Sequence, residues 1–419
     1  MPREDSIRRI AIIASLLFIA AATLVPNANG PWPRDFWGWH GDTIEFALNI
    51  LLFAPLGVAL APIANARKAL VAIAATTITI ELLQYFVVAG REGTIRDVIA
   101  NFAGGAGGMF VALHHRSLWR PDVRTGRRLA WSASALWIAH AAFAMIAFRP
   151  SVTNNPLFTH LAPDIGQYDT FGGTVANASV NGTMVFIGRF PTGTAPKSWE
   201  SGPLELAASA TATPLTRRPA PVIALLDSAA IEIALLGESR GDLVFRTRTL
   251  ADDLGLRLPV LVMDDVFAPD NEASREPIRV TGYRDHYTLS VSVAHPNGDR
   301  RSKSITLTPS LGWNLWWPFD VPSSATIAWM TWLWLAVPIG AIAFWGTASA
   351  AEPRAWTAFL PVVVAVVVGN VLVPRAFGAA SLNNKSEALA LAIGLAFGFA
   401  LGAWRRALRA TPGQPRSRA

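Results

Sequence analysis

The chain has 419 residues, 52% of them hydrophobic and 16% charged, and a mean hydropathy of +0.34. That balance is too apolar for an ordinary soluble protein, and the apolar residues fall in blocks near the roughly 20 residues that a membrane helix needs. The absence of cysteine excludes disulfides, thiol nucleophiles and thiolate metal sites; the +7 net charge, mostly arginine between apolar blocks, reads as membrane topology and not as nucleic-acid binding.

The first block, Ile10–Val25, follows REDSIRR. It has the length of a secretory leader but no small-x-small site ahead of a soluble region, so it reads as a retained first helix. The loop PWPRDFWGWH suits a headgroup layer. Further spans are expected near Ile44–Ile63, Ala69–Val88, Asp97–Leu113 and Leu129–Phe148, the last preceded by the basic loop HHRSLWRPDVRTGRR. These five form a membrane domain over residues 1–149.

From residue 150 to 322 no block is long enough to span, and strand signals replace helix signals. TLSVSV (Thr288–Val293) alternates strictly and turns through HPNGDRR into SITLT (Ser304–Thr308); Ala229–Thr249 repeats the form with a turn at Ser239–Gly241. Such units over this length predict an all-β sandwich with its own core, able to fold alone. Three more spans, near Ser324–Trp345, Trp356–Val373 and Ser386–Trp404, occupy residues 323–404, and a basic tail fills 405–419. The expected fold is a multi-pass α-helical membrane protein of about eight transmembrane helices with an inserted sandwich.

Lysine and arginine orient it. One alternating set of short segments holds Arg3, Arg8 and Arg9, then Arg67 and Lys68, five arginines from Arg116 to Arg128, Arg354 and the tail. The other holds Arg34, Arg91, Arg96, Arg149, Arg375 and Lys385. The richer set is cytoplasmic, which puts both termini inside and residues 150–322 outside.

Polar residues then converge on the outer level of three helices. Glu45 and Asn49 begin the second span, Glu81 and Gln84 end the third on one face, and Asp97 and Asn101 open the fourth, with Arg91 and Arg96 between. Charge at such depth is costly unless paired or hydrated. Two readings stand: arginines paired with Glu81 and Asp97 fasten the helices while the amides satisfy each other, or the group lines a pocket for a polar headgroup or sugar. The run NFAGGAGG lacks the preceding strand of a dinucleotide loop, and Gly104 and Gly108 read as a helix-packing pair.

Other chemistry is sparse. No zinc-protease, nucleophile-elbow or P-loop motif occurs, and no cofactor or metal set is implied. The acidic runs MDD (Met263–Asp265) and PDNE (Pro269–Glu272) read as solvated loop acids before calcium ligands. His114 and His115 read as interfacial, and Trp313, Trp316 and Trp317 as a membrane-interface belt before a sugar platform.

NILLFAPLG (Asn49–Gly57), ELLQ (Glu81–Gln84) and GREGTIRDVIANFAGGAGG (Gly90–Gly108) together resemble the signatures of the VanZ-like membrane protein family. The matching positions are Asn49, Phe53, Pro55, Gly57, Glu81, Gln84, Arg91, Asp97, Asn101 and Gly104. Many members carry an acid just before the aspartate, where this chain has Arg96. The resemblance spans about Ile10–Phe148 and implies helix packing through Pro55 and Gly57, and a role at the bacterial cytoplasmic membrane and cell envelope. The family takes its name from a protein associated with resistance to teicoplanin. The outer domain resembles concanavalin A-like or laminin G-like sandwiches on Pro221–Thr249, folds that often bind glycans. The expected function is binding of a lipid-linked precursor or glycopeptide-like compound among membrane lipids, with glycan or protein contacts from the sandwich. The alternatives are an enzyme acting on lipid headgroups, with Glu81 and Asp97 as acid–base pair, and a structural anchor for the sandwich.

Overall fold

The computed structural model describes residues 2–26, 36–37, 43–61, 65–91, 93–165, 168–211, 215–267, 276–319, 321–350, 358–382 and 385–410. Contacts divide the chain into two compact units, Met1–Asp122 and Val123–Ala419. Composition changes at residue 149, but packing changes at 122, because the helix after Asp122 associates with the C-terminal helices.

The N-terminal unit is four helices: α1 (Pro2–Thr23), α2 (Thr43–Leu60), α3 (Ala66–Phe86) and α4 (Ile95–Trp119). The Asn65 side chain accepts the Lys68 N–H at the start of α3, and Thr94 accepts the Asp97 N–H at the start of α4, each meeting a backbone donor that the first turn leaves free. α2 and α4 touch through backbone. A Cβ added at Gly57 would lie 1.8 Å from the Gly105 carbonyl oxygen, one at Gly104 2.0 Å from that of Ile50, and one at Gly108 2.0 Å from that of Ala54. Small residues at four-residue spacing permit that approach. Pro55 lies inside α2, and Gly105 presses on Ile73 of α3.

The second unit begins with α5 (Val123–Ala147). Two antiparallel six-strand sheets follow. The first contains β1 (Pro156–Leu161), β4 (Gly188–Thr194), β6 (Ala220–Asp227), β7 (Glu232–Ser239), β8 (Asp242–Thr247) and β9 (Val260–Met263), in the order β4-β1-β6-β7-β8-β9. The second contains β2 (Val175–Val180), β3 (Thr183–Met184), β5 (Leu204–Ala210), β10 (Ile278–Asp285), β11 (Thr288–Ala294) and β12 (Arg300–Thr306), in the order β12-β11-β10-β5-β2-β3. A short helix, α6 (Leu250–Asp253), follows β8.

Both hairpins legible in the sequence are present. In β7–β8 Ser239 pairs with Asp242 across Arg240 and Gly241, both at positive φ (57° and 91°), the backbone twist that two-residue hairpins favour. In β11–β12 Thr288 pairs with Thr306 and Ala294 with Arg300. β10 alternates buried and exposed residues and so has one solvated face, whereas β6 is buried along its whole length. The edges are unlike the interior: β12 carries Arg300, Arg301 and Lys303, β4 contains Pro191, and β3 and β9 are short.

Leu157, Leu206, Leu225, Phe245, Val280 and Leu289 fill the space between the sheets, and the same core runs on into Met145 and Phe148 at the end of α5. The Tyr287 hydroxyl donates to the Met145 carbonyl at 3.1 Å. The β domain is therefore packed onto its helical support, a continuity that the expectation of an independently folding domain did not include.

The chain then forms α7 (Ser324–Ala348), α8 (Leu360–Val364), a π-helical stretch (Ala365–Leu372), α9 (Val373–Ala376) and α10 (Lys385–Ala410). Trp313 is 2% exposed and donates to Thr331 of α7 at 3.1 Å, and Trp316 stacks on Phe143 of α5. Trp313 and Trp316 fasten the turn before α7 to two helices, and the burial of Trp313 takes that residue out of the expected interface belt. Among the described residues, six helices are long and apolar enough to cross a membrane: those containing Ser6–Thr23, Thr43–Leu60, Ala66–Phe86, Val123–Ala147, Ser324–Ala348 and Lys385–Leu408. The stretch Leu360–Ala376 is apolar but shorter, and α4 lies outside the six.

Candidate functional site

Eight positions of the N-terminal unit carry the site expected from sequence, and the structure joins four of them, Asn49, Glu81, Asp97 and Asn101. Asn49 of α2 donates from Nδ2 to Asp97 Oδ1 at 2.7 Å. Asn101 of α4 donates from Nδ2 to Glu81 Oε1 of α3 at 2.9 Å. Thr94 links the two acids: its N–H reaches Glu81 Oε2 at 3.2 Å and its hydroxyl reaches Asp97 Oδ2 at 2.9 Å. Glu81 and Asn101 are 2% and 1% exposed, while Asp97 is only half-buried. The group thus grades from a partly open carboxylate to an enclosed one.

The cations are placed elsewhere. Arg91 donates to the Val25 and Ala22 carbonyls at 3.0 and 3.3 Å, at the C-terminal end of α1, where a positive charge complements the helix dipole. Arg96 lies with its guanidinium 5.4 Å from the Phe46 ring centroid. Gln84 donates to the Thr23 carbonyl at 2.9 Å. Among the described residues neither Glu81 nor Asp97 makes an ion pair; each accepts from neutral donors, and the amides go to acids or backbone and not to one another. Glu45 sits in the first turn of α2.

Two residues of this group escaped sequence reasoning. Thr94 precedes an aspartate three positions on, a capping pattern before an apolar run that was legible. Gly93 is required because a Cβ there would come within 2.1 Å of the Glu81 carbonyl oxygen, a contact between segments that no local pattern reveals.

Two polar atoms beside the acids have no partner. Asn101 Oδ1 and Thr77 Oγ1 are both enclosed without a hydrogen bond. Thr77 lies one turn before Glu81 on the same face of α3.

In the β domain the Met263–Asp265 run is tied to β12. The Asp264 and Asp265 carbonyls accept from Arg301 at 2.7 and 3.2 Å, and Lys303 lies 3.8 Å from the Asp264 carboxylate. Among the described residues no group of three or more metal-ligating side chains is assembled; Pro269–Glu272 lie outside them. His114 and His115 are exposed near the end of α4, their rings against the Phe110 and Ala112 carbonyls.

Residues 7–119 match the VanZ/LLP1 family. That segment contains every residue of the cluster. No curated protein and no solved structure matches the chain.

Proposed function

We propose that this VanZ/LLP1-family integral membrane protein binds a cell-envelope ligand at the Glu81–Asp97 cluster, the ligand being a lipid-linked precursor or a glycopeptide-like compound. The observation that carries the reading is that two acidic groups on candidate membrane helices or beside them are met by neutral donors and, among the described residues, by no cation. Acidic groups at membrane depth that lack a cationic partner mark substrate paths and proton relays. Asn49 and Asn101 complete the lining, and Glu45, Gln84, Arg91 and Arg96 are proposed at its margin.

The topology proposed is eight spans in a bacterial cytoplasmic membrane, with both termini cytoplasmic and residues 150–322 outside. Beyond the six candidate helices, α4 at about 1.5 Å per residue has the length to span, and Leu360–Ala376 supplies an apolar eighth. The arginine-rich segments support the orientation. In intact cells Asn297→Cys, on an exposed hairpin, should label from outside and Ser117→Cys only after permeabilisation. The reverse pattern would invert the topology. The two-sheet domain is proposed as a concanavalin A-like glycan or protein contact.

The direct test is mass spectrometry of lipid co-purifying with the protein and with Asp97→Asn. Asparagine keeps the size and capping ability of aspartate and removes its charge. A folded variant that loses its lipid supports the site; unchanged lipid defeats it. A second reading, acid–base catalysis on a headgroup, is favoured by the unequal burial of Glu81 and Asp97, which would separate an acid from a base. Turnover of a labelled lipid precursor would select it.

A further inference from the structure

Resting on that ligand site, we infer that the group it recognises is a protonated primary amine, not a phosphate or other anion. The inference follows from what the cluster lacks. Glu81 and Asp97 accept in every bond they make, and the donors that reach them are neutral. Beside them Asn101, 1% exposed, spends its Nδ2 on Glu81 and leaves Oδ1 without a donor.

Thr77 supplies a separate observation. Its neighbours Thr76 and Thr79 satisfy their hydroxyls on the carbonyls four residues back, at 2.9 and 2.8 Å. Thr77, 0% exposed on the Glu81 face, does not, and its hydroxyl has no partner. A membrane helix normally returns such a hydroxyl to its own backbone. An enclosed oxygen without that bond is open to a donor that the protein itself does not supply.

The surplus is therefore of acceptors, gathered at two acidic groups. An ammonium carries three donors and a positive charge, which matches carboxylate, amide oxygen and hydroxyl together. A phosphate would bring further acceptors to a place where acceptors are already in surplus. The nearby Arg91, which would otherwise attract an anion, is engaged on the α1 carbonyls. The amine can belong to a lipid headgroup or to a soluble compound.

The test uses the full chain in phosphatidylglycerol nanodiscs, titrated with phosphatidylethanolamine, its N-acetylated form and soluble ethanolamine, with retention read by native mass spectrometry. Phosphatidylethanolamine should be preferred over the N-acetylated lipid by about tenfold or more, the scale of a charge-assisted hydrogen bond, and Glu81→Gln should abolish most of that preference. Thr77→Val removes only the unpartnered hydroxyl. It should leave the melting temperature unchanged or higher while lowering the preference, so the inference stays testable if Glu81→Gln folds poorly. Competition by soluble ethanolamine would support a soluble amine as ligand; retention without competition would support a lipid headgroup. Equal retention of the acetylated and free lipids, sensitive to Asp97→Asn, would overturn the amine while sparing the ligand site. Retention indifferent to the headgroup and to both acids would overturn the two together.

Discussion

Buried acids occur in the N-terminal unit and in the β domain, and their surroundings differ. Glu232 is gripped by Arg246, whose Nε and second guanidinium nitrogen reach it at 2.7 and 2.6 Å, with the Tyr168 hydroxyl at 2.8 Å. Glu238, 0% exposed, closes a turn by accepting from the Gly241 N–H at 2.6 Å and the Thr216 hydroxyl at 2.5 Å. In both cases the acid's capacity is consumed by the fold. Glu81 and Asp97 meet only neutral donors, with two bare acceptors on the next turns. Neutral donors alone do not make a site, as Glu238 shows; the unspent acceptors beside the acid are what distinguish the helical cluster.

The two regions also close their contacts differently, and the largest expected effect tests that. Gly104→Ala drives a Cβ to 2.0 Å from the backbone of Ile50, whereas Gly282→Ala in β10 meets the Phe245 ring at 2.3 Å. A ring can shift and a helix backbone cannot without moving α2. Gly104→Ala should cost about 3 kcal/mol, and Gly282→Ala nearer 1 kcal/mol, the two ends of the overpacking range, by thermal melting in detergent. Equal costs would erase the contrast.

Next, Glu232→Gln should cost about 2 kcal/mol by weakening charge-assisted bonds to Arg246. Glu81→Gln should cost about 1 kcal/mol or less, because one neutral acceptor and one donor can be re-paired if Asn101 turns its amide over. A larger loss for Glu81→Gln than for Glu232→Gln, again by melting, would make the cluster a brace.

The smallest effect is a pH dependence. Backbone N–H groups, Arg218 first and then Arg217, hold the Asp169 carboxyl below its usual range at 2.8 and 2.9 Å. A depressed acid stabilises the fold above the unfolded carboxylate pKa, and that contribution disappears as pH falls through the lowered value. Asp169→Asn should therefore lower stability slightly at neutral pH and leave it unchanged at low pH, which flattens the acid limb. An unaltered acid limb would show that these bonds are not kept in solution.

What was legible follows from the range of the forces. Apolar blocks declare helices locally, and the hairpin at Thr288–Thr306 declares itself by alternation around Asn297–Gly298. The polar residues of α2, α3 and α4 could be gathered because hydrophobic spans alternate direction. Their bonding could not be read, since it depends on which rotamer reaches across two helices: arginines beside acids in sequence suggest ion pairs, and Arg91 instead caps α1. The strand order, which sets β1 between β4 and β6, and the burial of Trp313 depend on partners many residues away. So does the placement of α5 with the second unit.

The edge strands have a consequence for association. A domain flanked by candidate membrane helices meets its own copies at high local concentration, where an open sheet edge invites strand-to-strand addition and, eventually, fibrous aggregation. Cations on β12, a proline in β4 and the brevity of β3 and β9 close that route at all four borders. Any partner that docks on the β domain must then be gripped through side chains on a face or loop and not through a shared backbone ladder, so its recognition will tolerate changes in the partner's backbone better than changes in its surface groups.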